Sequence, residues 1–281
     1  GDCVQLLLAA HAAVDPPNKD GDTPLYIASG KGHGDCVQLL LAAHAAIDQP
    51  TNNGYTPLLA ASSLGHGDCV QLLLAAHAAV DPPAKNGDTP LYAASSVGHG
   101  DCVQLLLDAK AALDQPNEDG YTPLYIASKE GHGDCVQLLL AAHAAVDQPN
   151  KDGCTPLYIA SGKGHGDCVE LLLAAHAAVD QPDEDGCTPL HIASTQGHGD
   201  CVKLLLAAHA AIDQPTNNGY TPLLAASLKG HGDCVKLLLA AHAAVDQPDE
   251  DGYTPLLAAS LKGHGDCAQL LLAAKAAVDQ P

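Results

Sequence analysis

The sequence predicts an all-α fold, a solenoid of stacked helix–turn–helix units, on three observations. A Gly-x-Thr-Pro-Leu block returns eight times at a fixed spacing of 33 residues, from Thr23-Pro24-Leu25 to Thr254-Pro255-Leu256. A period of that size means one supersecondary unit per repeat, each burying its apolar face against its neighbours. Each period also carries two short stretches with helix-start chemistry, the second running through a Leu-Leu-Leu core. Finally, Phe, Trp, Met and Arg are absent and Tyr is the only aromatic. Thin layers of Leu, Ala, Val and Cys suffice only where each unit contacts just its two neighbours.

Residues 1–17 hold the second half of a unit, Cys3-Val4-Gln5-Leu6-Leu7-Leu8 with its exit Ala12-Ala13-Val14-Asp15. Eight complete units start at Asn18, Thr51, Ala84, Asn117, Asn150, Asp183, Thr216 and Asp249, the last ending at Pro281, so 1–281 reads as a single array. Asn18-Lys19-Asp20-Gly21 is turn chemistry, with Gly21 free to take positive φ. Thr23 suits an N-cap and Pro24 the first helical position, where no N–H is needed. A short helix then runs through Leu25, Ala28 and Ser29, and Gly32 suits its end. The second helix starts near Gly34-Asp35, Asp35 complementing the helix dipole. Helical spacing directs Cys36, Val37, Leu40 and Leu41 inward.

The unit Gly-x-Thr-Pro-Leu-x-x-Ala-x-x-x-Gly-His, followed by a Leu-Leu-Leu helix, closely resembles the ankyrin repeat over essentially all 281 residues. The resemblance implies two antiparallel helices and a projecting turn per unit. It also implies a concave face, built of turn tips and first helices, on which partners dock. Three departures from the family pattern stand out. His11, His44, His77, His143, His176, His209 and His242, with Lys110 and Lys275, occupy the left-handed position after the second helix where the family places Gly, which implies local strain. The family's His after Thr-Pro-Leu survives only as His191, which puts in question the turn hydrogen bond of the other seven units. The exit Asp15, Asp48 and their equivalents stand where the family commonly has Asn.

The units are partly block copies: Ile47 to Tyr55 recurs unchanged from Ile212 to Tyr220, and Asp183-Glu184-Asp185-Gly186 recurs from Asp249. The chain opens partway through a unit and without Met, which reads as a fragment or a processed product. Neither end shows a polar cap. Leu6, Leu7 and Leu8 at one end and Leu270, Leu271 and Leu272 at the other are expected to be sticky, the stack continuing through more repeats or a partner.

The formal net charge is −21, from 33 acidic residues against 12 basic ones. Phosphate binding needs clustered cations, so nucleic acid is excluded as a partner, and anionic membrane surfaces for the same reason. No apolar run reaches the roughly 18 residues of a membrane span. Basic partners, or simple solubility, remain open. Cysteine usage leans to a reducing, cytoplasmic interior.

Nine cysteines form a column from Cys3 and Cys36 to Cys234 and Cys267. A redox or metal ladder is one reading. Helices lie about 10 Å apart, whereas a disulfide needs Cα atoms within about 7 Å; a small buried apolar residue is the better reading. Cys154 and Cys187 occupy a turn position instead and are expected to be exposed, as a thiol pair rather than a bond. His33 with Cys36 invites zinc, but two ligands per layer fall short of the four a structural site wants. Asn18-Lys19-Asp20-Gly21-Asp22 faintly resembles a calcium loop yet lacks the bidentate Glu at its twelfth position. No nucleophile, base and orienting group form a singular constellation, and no phosphate-cradling loop is present, so neither an enzyme nor a cofactor is expected.

What remains is surface. The docking groove implied by the resemblance maps onto the turn positions Asp22, Tyr55, Asp88, Tyr121, Cys154, Cys187, Tyr220 and Tyr253. To these it adds Lys31, Leu64, Val97, Lys129, Glu130, Gln196, Leu228 and Leu261 on the first helices. These positions vary most among units, and tyrosines beside exposed Leu and Val suit a protein-binding hot spot. The leading expectation is a non-enzymatic protein-interaction scaffold. The alternative is a structural subunit of an extracellular fibre or filament, self-associating through uncapped ends or lateral faces, since identical layers make identical contacts. A third reading is an engineered repeat array.

Overall fold

The computed structural model describes residues 1–278 and bears out the all-α class, with seventeen helices and no strand among the described residues. Pro281, at which the eighth unit was expected to end, lies outside them. Helix α1 (Asp2–Ala9) stands alone. The pairs α2 (Pro24–Gly30) and α3 (Gly34–Ala42), α4 (Pro57–Ser63) and α5 (Gly67–Ala75), and α6 (Pro90–Val97) and α7 (Gly100–Asp108) follow. Next come α8 (Pro123–Glu130) and α9 (Gly133–Ala141), then α10 (Pro156–Lys163) and α11 (Gly166–Ala174). The last three pairs are α12 (Pro189–Gln196) and α13 (Gly199–Ala207), α14 (Pro222–Lys229) and α15 (Gly232–Ala240), and α16 (Pro255–Lys262) and α17 (Gly265–Ala273).

The chain forms two compact units, one of Gly1–Ala127 with Asp134–Ala145, the other of Ser128–Gly133 with the described residues from Val146 on. In the first, α2, α4 and α6 stack in order, α1, α3, α5 and α7 form a second row, and each first helix packs on its own second helix. In the second, α10, α12, α14 and α16 make one row and α11, α13, α15 and α17 the other.

Local chemistry starts every first helix in the same way. The Thr hydroxyl accepts from the N–H three residues on, as in Tyr26 to Thr23 at 3.2 Å and Tyr125 to Thr122 at 3.1 Å, and Pro fills the next position. The expected left-handed residues are all present: His11, His44, His77, Lys110, His143, His176, His209, His242 and Lys275 have φ between 57° and 68°. Gly164 shows why the Gly-His pair needs its glycine, at φ 78° with the His198 ring 2.6 Å from where a Cβ would stand.

The core is a column of Cys, Val and Leu from the second helices α5 to α15, such as Cys102, Val103 and Leu106, all fully buried. Cys3, expected to be buried with the other column cysteines, is exposed because α1 has no first helix of its own to pack on, and Cys36 is half-buried. Leu41, expected inward, is only half-buried, as are Leu74 and Leu140. It sits one residue past the buried Leu40, and a helix turns about 100° per residue. The chain termini also differ from expectation. Leu6 and Leu7 are exposed as foreseen, but Leu271 is fully buried, because it belongs to the inward Leu column beneath α16.

Three hydrogen-bond ladders cross from repeat to repeat. The exit Asp accepts the backbone N–H 31 residues on, at 2.8–3.1 Å, from Ala46 to Asp15 through to Ala277 to Asp246. The His of the Gly-His pair donates Nε2–H to the last-turn carbonyl of the preceding first helix, as His198 does to Gly162 at 3.1 Å and His231 to Thr195 at 3.0 Å. That carbonyl is one of the orphans every helix end leaves, so the bond caps one repeat while joining two. The turn tips are tied backbone to backbone, as in Asn52 N–H to the Asp20 carbonyl at 2.9 Å.

Candidate partner-binding face

The turn that carries the variable position is rigid before any side chain is considered. Asn18 Oδ1 accepts from the N–H groups of Asp20 and Asp22, and Thr51 Oγ1 accepts from Tyr55. Asp249 Oδ1 does the same for Asp251 and Tyr253, at 3.0 and 2.8 Å. Side-chain acceptors at turn starts are what Asn, Asp and Thr supply best. The variable residue four positions into each repeat is therefore held on a fixed backbone beside the next first helix.

On that backbone the turn residues Asp22, Tyr55, Asp88, Tyr121, Cys154, Cys187 and Tyr220 are half-buried, and Tyr253 is exposed. Cys154 and Cys187, expected to be exposed, are thus partly covered. Burial first, and then the Asp183 carboxylate, pushes their thiols up to about 12 and about 11. Thiols held protonated at neutral pH are poor nucleophiles and poor metal ligands. In the helical column, burial lifts Cys102, Cys135, Cys201 and Cys234 to about 11. Among the described residues no group of three or more His, Cys, Asp or Glu is placed to hold a metal ion. Nor is any helix there long and apolar enough to cross a membrane.

The position after Thr-Pro-Leu packs diagonally on the turn residue of the next repeat. Burial, with Asp22 and Tyr55 alongside, raises the Tyr26 phenol, and burial plus a hydrogen bond to Asp183 raises that of Tyr158. His191, 6% exposed, is pushed down to about 4 by burial, although it hydrogen-bonds the backbone of Tyr220. The aromatic rings of Tyr121 and Tyr125 stack with centroids 4.6 Å apart and planes 13° from parallel.

The sequence-based residues on the first helices separate into two columns. Lys31, Leu64, Val97, Glu130 and Gln196 are exposed at the helix ends. Lys129 and Leu228 lie one residue earlier and are half-buried; Leu261, in the same column, is 63% exposed. The earlier column faces the next repeat: a Cβ on Gly30 would lie 3.6 Å from both Ala60 and Leu64. The structure brings one subset together. Tyr220, Leu224, Leu228, Tyr253 and Leu261 line a cleft of about 320 Å³ between α14 and α16, with Asp249 at one end and Lys262 at the other.

Sequence reasoning missed the Asp ladder. Its signal was an Asp fixed at every exit, but the partner is a backbone N–H, which leaves no mark in the sequence.

With the geometry in place, comparison with known proteins is informative. A family model described as ankyrin repeats (3 copies) matches residues 1–86, 76–150, 139–216 and 208–281. No curated protein matches by sequence. Among solved structures, the crystal structure of the human ASB11 ankyrin repeat domain is 30% identical, with a TM-score of 0.72 over 78% of this chain and 98% of that one. Capped helix pairs, left-handed exits and a 33-residue period agree with these matches, and the chain belongs to the ankyrin-repeat family, whose members are generally protein–protein interaction modules and typically non-enzymatic scaffolds.

Proposed function

We propose that this chain is a non-enzymatic scaffold that holds a protein partner on the face formed by its turn tips and first helices. The carrying observation is the exposure of large apolar side chains on a rigid frame. Leu64 and Val97 are 56% and 49% exposed, on helices whose caps and cross-repeat bonds fix the backbone. A preorganised face loses less entropy on binding, and apolar groups left in water are the ones that gain by being covered. The 33 acidic residues against 12 basic ones favour a partner that presents cations.

The test is affinity capture with the intact chain and with a variant carrying Leu64→Asp, Val97→Asp, Tyr253→Asp and Leu261→Asp. The variant is expected to keep its unfolding midpoint within a few degrees and to lose the captured protein. A second-helix control, Gln71→Glu with Lys203→Glu, is expected to retain it. Capture that survives the first variant and fails in the control would place binding on the other side and sink the reading.

A further inference from the structure

The cleft between α14 and α16 differs from the rest of the face, because its lining is apolar in the middle and oppositely charged at its two ends. Leu224, Leu228, Tyr253 and Leu261 form the middle. At the turn end stands Asp249, followed by the exposed Glu250 and Asp251; at the helix end stand Lys262 and, one repeat earlier, the exposed Lys229. The turn end is fixed by the two N–H bonds that Asp249 accepts and by Glu250 N–H to the Asn218 carbonyl at 3.4 Å. His264 Nε2, 3.1 Å from the Leu228 carbonyl, ties α14 to the start of α17 at the other end.

We propose that this cleft binds a peptide segment of a partner protein lying along the helix axes. The segment places one bulky apolar side chain among Leu228, Tyr253 and Leu261, a cation toward Glu250 and Asp251, and a carboxylate toward Lys262. This deepens the scaffold reading and rests on it. Size, charge and length each support it. A cleft of about 320 Å³ sits at the small end of ligand pockets and suits one large side chain rather than a folded surface. Opposite charges at the two ends fix the direction of the segment, since reversing it would set like charges together. α16 has 8 residues, about 12 Å of helix. Extended chain rises about 3.3 Å per residue, and Glu250 and Asp251 stand in the turn before α16 begins at Pro255. Cation and carboxylate therefore fall at least about four residues apart with the apolar anchor between them.

The experiment pans a phage-displayed library of random twelve-residue peptides against the full chain at low ionic strength. The expected winners carry Lys or Arg, a bulky apolar residue and Asp or Glu in one fixed order with that spacing. A synthetic winner is expected to bind at least tenfold more weakly to Leu261→Asp and to a Glu250→Lys, Asp251→Lys double variant. It should bind Gln71→Glu, an exposed second-helix position away from the face, as it binds the unmodified chain. Absence of enrichment, winners without the charge order, or winners indifferent to Leu261→Asp would each overturn the proposal. Winners that fail on Leu64→Asp or Val97→Asp but not on Leu261→Asp would overturn this cleft while leaving the wider scaffold reading intact.

Discussion

The second helix and the first helix of one repeat have opposite histories in this chain. Across the eight complete units the second helix reads Gly-Asp-Cys-Val-x-Leu-Leu-Leu with one exception, Ala268 for Val, and one outward position alternating among Gln, Glu and Lys. The first helix and its turn change at nearly every position that meets solvent, from Lys31 to Leu64 to Val97 to Glu130. The difference follows neighbours. Cys102, Val103 and Leu106 are closed on all sides, whereas Leu64 and Val97 are about half exposed. Close packing penalises both smaller and larger side chains, while an open position tolerates either. The variable face is thus laid over a constant frame.

The sharpest way to break this comparison is to make the same cut on each side. Leu172→Ala removes a fully buried side chain and is expected to lower unfolding stability by about 3 kcal/mol, since cavity-forming Leu→Ala changes cost about 2–5 kcal/mol. Leu64→Ala, at 56% exposure, is expected to stay within about 0.5 kcal/mol. Urea unfolding of both variants measures this. Similar losses would mean that Leu64 is a structural residue and would remove it from the proposed face.

Legibility in the sequence tracks the range of the interaction. Thr23, Pro24 and Gly32 were readable because caps and breakers act over three or four residues. The left-handed His and Lys were readable from their register after a helix. By contrast, Asp180 to Ala211 spans 31 residues and His198 to Gly162 spans 36. Each ends on a backbone atom that any residue would supply. Cys154 and Cys187 were misjudged for a related reason, because part of their surroundings comes from the adjoining repeat: Asp183 and Glu184 stand close to Cys154, and Tyr158 close to Cys187. On the candidate face, Leu64 and Leu228 looked equivalent as apolar residues near a helix end. A one-residue offset separates them, which on a helix decides between solvent and the next repeat.

A middle-sized effect tests whether the constant frame is held by its ladders as well as by its core. Asp180→Ala leaves the Ala211 N–H without the acceptor it now has at 2.9 Å, and is expected to cost about 1–2 kcal/mol. Asp180→Asn keeps a side-chain oxygen and is expected to cost less than half of that. Amide hydrogen exchange at Ala211 reads the bond directly: it should accelerate in the Ala variant and change little in the Asn variant. Equal exchange in both would mean that the Asp side chain does not hold the repeat junction.

The smallest effect has the opposite sign and sharpens the comparison where it looks weakest. His209 and its equivalents are nearly invariant, yet His209 is exposed and sits at φ 64°. An L-residue in that region costs about 1–2 kcal/mol, and glycine gives back about 0.5–1 kcal/mol of that through its larger entropy when unfolded. His209→Gly keeps the backbone bond to Leu206 at 3.1 Å and should raise stability by about 0.5–1 kcal/mol. Two residues earlier, on the exposed last position of α13, Ala207→Gly should lower it by about 1 kcal/mol. Differential unfolding of the two variants separates two causes of sameness that the sequence cannot distinguish. Gain at His209 would show that this column is constant through block copying, without energetic demand, unlike Cys-Val-Leu. Loss at His209 would show that the imidazole makes a contact of its own, and the constant frame would then extend to its exposed edge.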